Sequence, residues 1–424
     1  LKDRPEGREL AGLSQEERQK RIREHRRQDQ EQFQALRAWW FRRMVLTRHP
    51  LEERMTLFWH GHFATSQRDV RNSYHMYLQN RTLRAHALGN FRDLVRAIAK
   101  DPAMLEYLDN NRNQKSHPNE NFARELMELF TLGAGNYTEQ DIKEAARALT
   151  GWTFRGNEFV FTRRAHDTGE KTFLGRKGKF TGDDVIDIIF EQPAASRFIV
   201  KKLFVYFVHE DPPAEMIESL AATLRESKFE VRPVLAQVFR SRELYSAKAR
   251  GSRIKSPVEL VAGTLRLLKV DPGSSPALTF LAGRMGQDLL LPPSVKGWDG
   301  GQSWISTSTL FDRYNFARPI LGLEDPRRSG EDGGPGKKAG KKIARDAPRS
   351  LPRWNVETGR ELILGKDAEK LTAAEAVERV VRRFLLVPLA PDAKQKLEDF
   401  YSGADPKNRL EELIHLVLSS PEYQ

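Results

Sequence analysis

His60-Gly61-His62 is the sharpest chemical feature of this chain. In an extended segment, residues two apart point the same way, so both imidazoles would reach one ion. If Gly61 instead stops a helix that starts at Pro50, both histidines sit at its negative end, which favours protonated imidazole. Other donors come from further along. His117 precedes a predicted helix that carries Glu120 and Glu125, and His166-Asp167 lies in a later Gly-rich stretch. Imidazole and carboxylate donors suit zinc, manganese or iron. The expected ligands are His60, His62 and a carboxylate, either Glu120, Glu125 or Asp167. A bound water would be activated there, with His166 as general acid or base. The bland alternative is a structural network, in which buried Asn and Glu side chains tie loops to helix ends.

A second cluster is PPSVKGWDGGQSWIS, residues 292–306. Pro and Gly hold it as a loop, and Trp298 and Trp304 are unusual residues to place on one. Beside Asp299 and Gln302 they form what a sugar site uses: an apolar face for the ring and polar groups for hydroxyls. Both tryptophans can equally plug a core. There is no phosphate-binding Gly-rich loop, dinucleotide fingerprint, HExxH or nucleophile elbow. Zero cysteines exclude disulfides, thiolate metal sites and Cys catalysis.

The elements that must position these residues read as helices. Phe122, Leu126, Leu129 and Phe130 recur at helical spacing after Pro118, whose fixed φ suits a first turn. Glu120, Arg124 and Glu128 fall four apart on the other face, where alternating charges pair. Glu125 sits on the shoulder of the apolar stripe, where a carboxylate must be paired, hydrogen-bonded or metal-bound. Gly133 ends this helix, and Thr138 with Asp141 caps the next. Ser14 and Glu17 cap a long N-terminal helix that turns apolar at Phe33, Leu36, Trp39 and Trp40. A helix from Pro50 and three short ones between residues 70 and 108 follow. Large apolar residues alternating across Arg155-Gly156-Asn157 predict a β-hairpin, followed by a Gly-rich loop with a short strand. Helices resume at Asp183. Residues 197–244 and 377–423 share one pattern: apolar helix, Pro-containing turn, amphipathic helix, polar break and a helix ending in Ser-x-Glu. Duplication and simple convergence both account for it.

Composition bounds the rest. Mean hydropathy is −0.61 and no apolar run spans a bilayer, so the chain reads as a soluble protein without a transmembrane segment. The net charge of +12 invites a nucleic-acid reading. Residues 1–54 carry 14 basic and 10 acidic side chains, and residues 324–353 carry 9 and 5, so these two segments supply +8 of it. The charge is therefore a solvated feature of one helix and one loop, and no specific nucleic-acid site is expected. No charged-then-apolar leader opens the sequence, so any export signal lies outside it.

The segment HPNENFARELMELFTLGAGNYTEQDIKEAARALTGW (117–152) closely resembles the signature of the bacterial "domain of unknown function 1800" proteins. FWHGHFATS (58–66), LGNFRDLV (88–95), DPAMLEYLDN (101–110), SPVELVAGTLR (256–266) and MGQDLLLPPSVKGWDGG (285–301) fit it too, as does the ending LVLSSPEYQ. The resemblance covers about residue 40 to the C-terminus and not the first forty residues. It implies an exported bacterial protein, periplasmic or extracellular, often encoded beside a partner of the sulfatase and phosphatase type. It also places His60, His62, Asn119, Glu120, Asn121, Arg124, Glu125, Trp152 and His166 in recurring motifs, without assigning their roles.

The expected fold is mainly α: a multi-helix globular array with one small β-hairpin element between helical blocks. Its segments are a polar helix (1–39), a family core (40–323) with a β insert at about 152–182, a disordered basic insertion (324–352) and a C-terminal helical segment (353–424) packing back on the core. The leading functional expectation is a metal-assisted hydrolase or lyase acting on an exported polymer, a carbohydrate. Its assignments are His166, Glu125 and Arg124 for catalysis, Asn119, Asn121, Trp152, Trp298, Asp299 and Trp304 for substrate, and His60, His62, Glu120 and Asp167 for the metal. The alternatives are a non-catalytic binding or assembly protein of the cell envelope and a metal-dependent oxidoreductase.

Overall fold

The computed structural model describes residues 12–274, 276–323 and 351–424. The chain is mainly α-helical. The Ser14–Glu17 capping box forms as expected, with Ser14 Oγ and N both donating to the Glu17 carboxylate. It opens a helix over Gln15–Leu46. The first half of that helix is largely exposed because it has no apolar stripe, whereas Phe33, Leu36, Trp40 and Phe41 are buried. Trp39 faces outward, 40% exposed. The expected insertion lies outside the described residues except for residues 351–352. No helix among the described residues is long and apolar enough to cross a membrane.

Chain contacts define two compact units. The first holds the described residues up to Leu36, His49–Ala249 and Leu290–Trp298. Its core gathers Met55, Trp59, Phe63, Phe91, Leu126, Phe130, Ile142, Trp152, Ile189 and Leu203, all nearly inaccessible. After the helix Pro50–His62, four further helices up to residue 107 surround this core: Gln67–Val70, Ser73–Ala85, Phe91–Ala99 and Pro102–Tyr107. Most are started by a side chain that accepts from the first free amides, as Asn72, Asn90 and Asp101 do. The hairpin pairs Trp152–Arg155 with Glu158–Phe161 around Gly156-Asn157. A second hairpin, Lys171–Phe173 with Arg176–Gly178, stands where a loop and one short strand were expected.

The second unit comprises Arg37–Arg48, Arg250–Leu289 and the described residues from Asp299 onward. Its Arg313 is fully buried and donates to the Lys255 and Gln424 carbonyls, both at 3.0 Å. Tyr423 Oη and Thr264 Oγ1 share a 2.6 Å hydrogen bond. The two similar segments each fold as three helices, with each helix packed on the other two. They are Pro193–Phe207, Ala214–Glu226 and Val231–Arg240 in the first unit, and Ala373–Phe384, Pro391–Gly403 and Arg409–Ser419 in the second.

Lysines and aromatic rings around two glycines

The helix from Pro50 does not stop at Gly61. It runs through to His62, with Phe63 as its C-cap, so His60 and His62 point from different sides of its last turn. Both are buried. A helix rotates about 100° per residue, which sends side chains two apart in divergent directions. The extended geometry required for a shared ion does not form.

His62 reaches the end of the motif helix. That helix starts at Asn121, three residues after Pro118, and its second half (Leu126–Thr131) is wound as π-helix. The late start follows from side chains that compete for its first amides. Asn113 Oδ1 accepts from Asn119 N at 2.9 Å, and Asn119 Oδ1 accepts from Asn121 N at 2.9 Å. At the other end, the last carbonyls of a helix need donors from outside. His62 Nε2 lies 3.0 Å from Phe130 O, and Lys202 Nζ donates to Leu129 O at 3.1 Å. A carbonyl only accepts, so His62 carries its proton on Nε2. Its Nδ1 lone pair then faces Lys202 Nζ at 3.3 Å. Burial, and then the positive charge of Lys202, hold the His62 pKa well below the usual imidazole range.

His60 has the opposite tautomer. Its Nε2 accepts the Leu290 N–H at 3.1 Å, and burial lowers its pKa to about 3. Leu290 sits at φ +63°, a left-handed conformation that is costly for a branched side chain. Its carbonyl accepts from Gln67 N at 3.0 Å. His60 and Gln67 therefore pin both polar groups of the residue that opens the Pro-rich loop. Further along that loop, Gly297 (φ +82°) rests on Gly61, and a Cβ at Gly297 would stand 2.3 Å from Gly61 O. This contact lays Lys296-Gly297-Trp298 against His60-Gly61-His62. The Trp298 ring lies 5.5 Å from His60, centre to centre, and is half-buried.

Lys202 completes the arrangement. It lies on the helix Pro193–Phe207 beside the buried Ile199, Leu203 and Phe204. Its ammonium stands 4.5 Å from the centre of the Phe198 ring. Burial, with Lys296 as a second cation, lowers its pKa to about 8. Among the described residues, no carboxylate pairs with Lys202. A partly buried ammonium is costly without one. Its partners here are a carbonyl, an imidazole and a ring face.

The other predicted residues are held elsewhere. Glu120 lies 3.6 Å from Arg124, whose guanidinium binds Glu139 through two bonds of 2.9 and 2.8 Å. Glu128 accepts from Tyr137 Oη at 2.7 Å. Glu125 is half-buried, and burial followed by Glu128 raises its pKa. His166 Nδ1 faces the Thr150 carbonyl at 3.0 Å, and Asp167 takes Arg147 Nε at 2.8 Å and the Gly169 amide at 2.8 Å. Trp152 is core, packed edge-on to Phe159. Asp299 and Trp304 fall in the second unit, where Trp304 is 6% exposed. Among the described residues, no group of three or more His, Asp and Glu is placed to hold a metal ion.

The fold brings together the two sequence clusters that were read separately, and it does not bring the histidines to the Glu120 or Asp167 carboxylates. Sequence reasoning missed Lys202 and Lys296. The available signal for Lys202 was its spacing, three residues after Ile199 and next to Leu203 in a strongly apolar helix.

This is a mainly helical protein in which a Gly–Gly contact sets Lys296 and Trp298 against the His60–His62 turn, with Lys202 packed on His62. The chain belongs to the family described as "Protein of unknown function (DUF1800)", which it matches over residues 2–424. The match reaches back almost to the first residue and so corrects the expectation that the first forty lie outside the family pattern. Searches of curated proteins and of solved structures returned no match.

Proposed function

We propose that this is a binding protein of the cell envelope that recognises an acidic carbohydrate through Lys202, Lys296 and Trp298. The observation that carries the reading is Lys202: a partly buried ammonium with no carboxylate partner among the described residues, beside a second lysine. An anionic ligand group would supply the missing charge, while the half-buried Trp298 offers a face to a sugar ring. The geometry favours this reading over metal-assisted hydrolysis or redox chemistry. The His62 lone pair faces Lys202 and that of His60 accepts the Leu290 amide, so metal ligation would break both contacts. An exported partner of the sulfatase and phosphatase type, which the resemblance implies, handles ester-bound anions, the chemistry that neighbouring lysines hold.

The test compares an oligogalacturonate with the matching neutral galactose oligomer, by calorimetry on the full chain. A protein of net charge +12 attracts any polyanion, so the control is Lys366→Met, which removes a 91% exposed lysine. Selective binding of the acidic oligomer, lost in Lys202→Met and kept in Lys366→Met, is the expected result. Equal losses in the two variants would leave only non-specific attraction. A stoichiometric metal held by His60 or His62 in the purified protein would return the metal reading.

A further inference from the structure

Lys202 is positioned more tightly than charge attraction requires. Two acceptors on different elements fix its Nζ: Leu129 O at 3.1 Å and His62 Nδ1 at 3.3 Å. The Phe198 ring covers a third side at 4.5 Å. His62 is itself oriented by Phe130 O at 3.0 Å and enclosed by the Phe58, Trp59, Phe63 and Phe91 rings. The amine is therefore held still, largely desolvated, and beside a second cation. The last two are conditions that turn a lysine from a surface charge into a nucleophile.

We propose that Lys202 is a reactive amine that forms an imine with small carbonyl compounds bearing an acid group, of the 2-oxo acid class. In the step, the neutral Nζ lone pair attacks the carbonyl carbon, forming the C–N bond. Nζ then loses its two protons and the carbon loses its oxygen, which leave together as one water. No oxidant or reductant takes part. Lys296, the second cation that acts on Lys202, is the group that would draw the acid, and the Phe198 ring covers one side of the amine. The inference rests on solutes reaching Lys202, which is also the premise of the acidic-carbohydrate reading.

The chemistry distinguishes Lys202 from other lysines. Its pKa of about 8, against the ordinary 10.5, leaves roughly a tenth of it neutral at pH 7. For an ordinary lysine that fraction is some hundreds of times smaller. Lower basicity takes back part of this gain, and a net preference of about ten-fold or more remains.

The experiment incubates the full chain with glyoxylate, and separately with acetaldehyde, in the presence of cyanoborohydride, and maps adducts by peptide mass spectrometry. One dominant adduct at Lys202 is expected, forming faster with glyoxylate and with a rate that rises through about pH 8. Lys202→Arg keeps the charge and removes that adduct, and Lys296→Met reduces the advantage of glyoxylate. Adducts spread over exposed lysines, with Lys202 taking no more than its share, would overturn the proposal. So would a Lys202 rate that rises only near the ordinary lysine range. The two readings separate in the wild type. A dominant Lys202 adduct without oligogalacturonate binding removes the carbohydrate reading and keeps the reactive amine, and the converse removes only the amine.

Discussion

Substituting alanine for each glycine of the central contact should give opposite results. Gly297 has φ +82°, and a Cβ there would lie 2.3 Å from the Gly61 carbonyl oxygen and 3.3 Å from its carbon. The left-handed conformation costs an L-residue roughly 1–2 kcal/mol. Forcing an added methyl against backbone costs about 1–3 kcal/mol more. Gly297→Ala should therefore lose about 2–5 kcal/mol. At roughly 2–4 °C per kcal/mol for a unit of this size, the midpoint should fall by about 4–20 °C. Gly61 is the other side of the same contact, yet nothing lies within 4 Å of a Cβ built there. It occupies the helix Pro50–His62, where alanine is preferred by up to about 1 kcal/mol. Gly61→Ala should be neutral or slightly stabilising. Scanning calorimetry of the two variants, with hydrogen exchange at the Leu290 amide, is the assay. If the loop yields before the whole unit, the cost appears first as lost protection of that amide, which His60 Nε2 now accepts. Equal midpoints for the two variants, with the Leu290 amide still protected in Gly297→Ala, would refute the interleaved-glycine geometry.

Leu126→Ala should destabilise by about 2–5 kcal/mol, since Leu126 is 1% exposed within the first unit's core; denaturant unfolding checks this. Thr138→Ala should cost about 0.5–2 kcal/mol, because its side chain accepts from Asp141 N in a complete capping box; thermal unfolding reads it. Lys202 gives a pH signature. Its pKa falls on folding from 10.5 to about 8, so folding disfavours the charged form. The stability present above the unfolded pKa is lost as pH falls through about 8, up to ~3 kcal/mol in all. Lys202→Met lacks this dependence, so its stability relative to wild type should rise from pH 10.5 to 8 and level off below; a flat difference across that window would place the amine in solvent. Elemental analysis of purified protein should find no stoichiometric zinc, manganese or iron.

Local chemistry made much of this protein legible from its sequence. Helical spacing marked Phe122, Leu126 and Phe130 as buried, and the two capping boxes formed where Ser14 and Thr138 were spaced for them. Gly133 ends its helix at φ +80°, and Arg155-Gly156-Asn157 turns the first hairpin. Such features depend on residues within a few positions of one another, which a linear reading can weigh. Two elements departed from that reading. Pro118 did not open its helix, because Asn113 and Asn119 took the first amides. Gly61 did not end its helix, which runs on to His62, and its carbonyl became the floor for Gly297.

The site depended on tertiary structure even more. His60 and Leu290 are 230 residues apart, and His62 and Lys202 are 140 apart, so no spacing rule links them. A lone lysine in an apolar helix reads as a snorkelling side chain until the fold sets an imidazole, a carbonyl and a second lysine beside it. By itself, the sequence determined the helices, their buried faces and the family. Only the folded chain decided which of its polar residues became structural ties and which lysine was left without a counter-charge among the described residues, because desolvation and pairing exist only once distant segments have met.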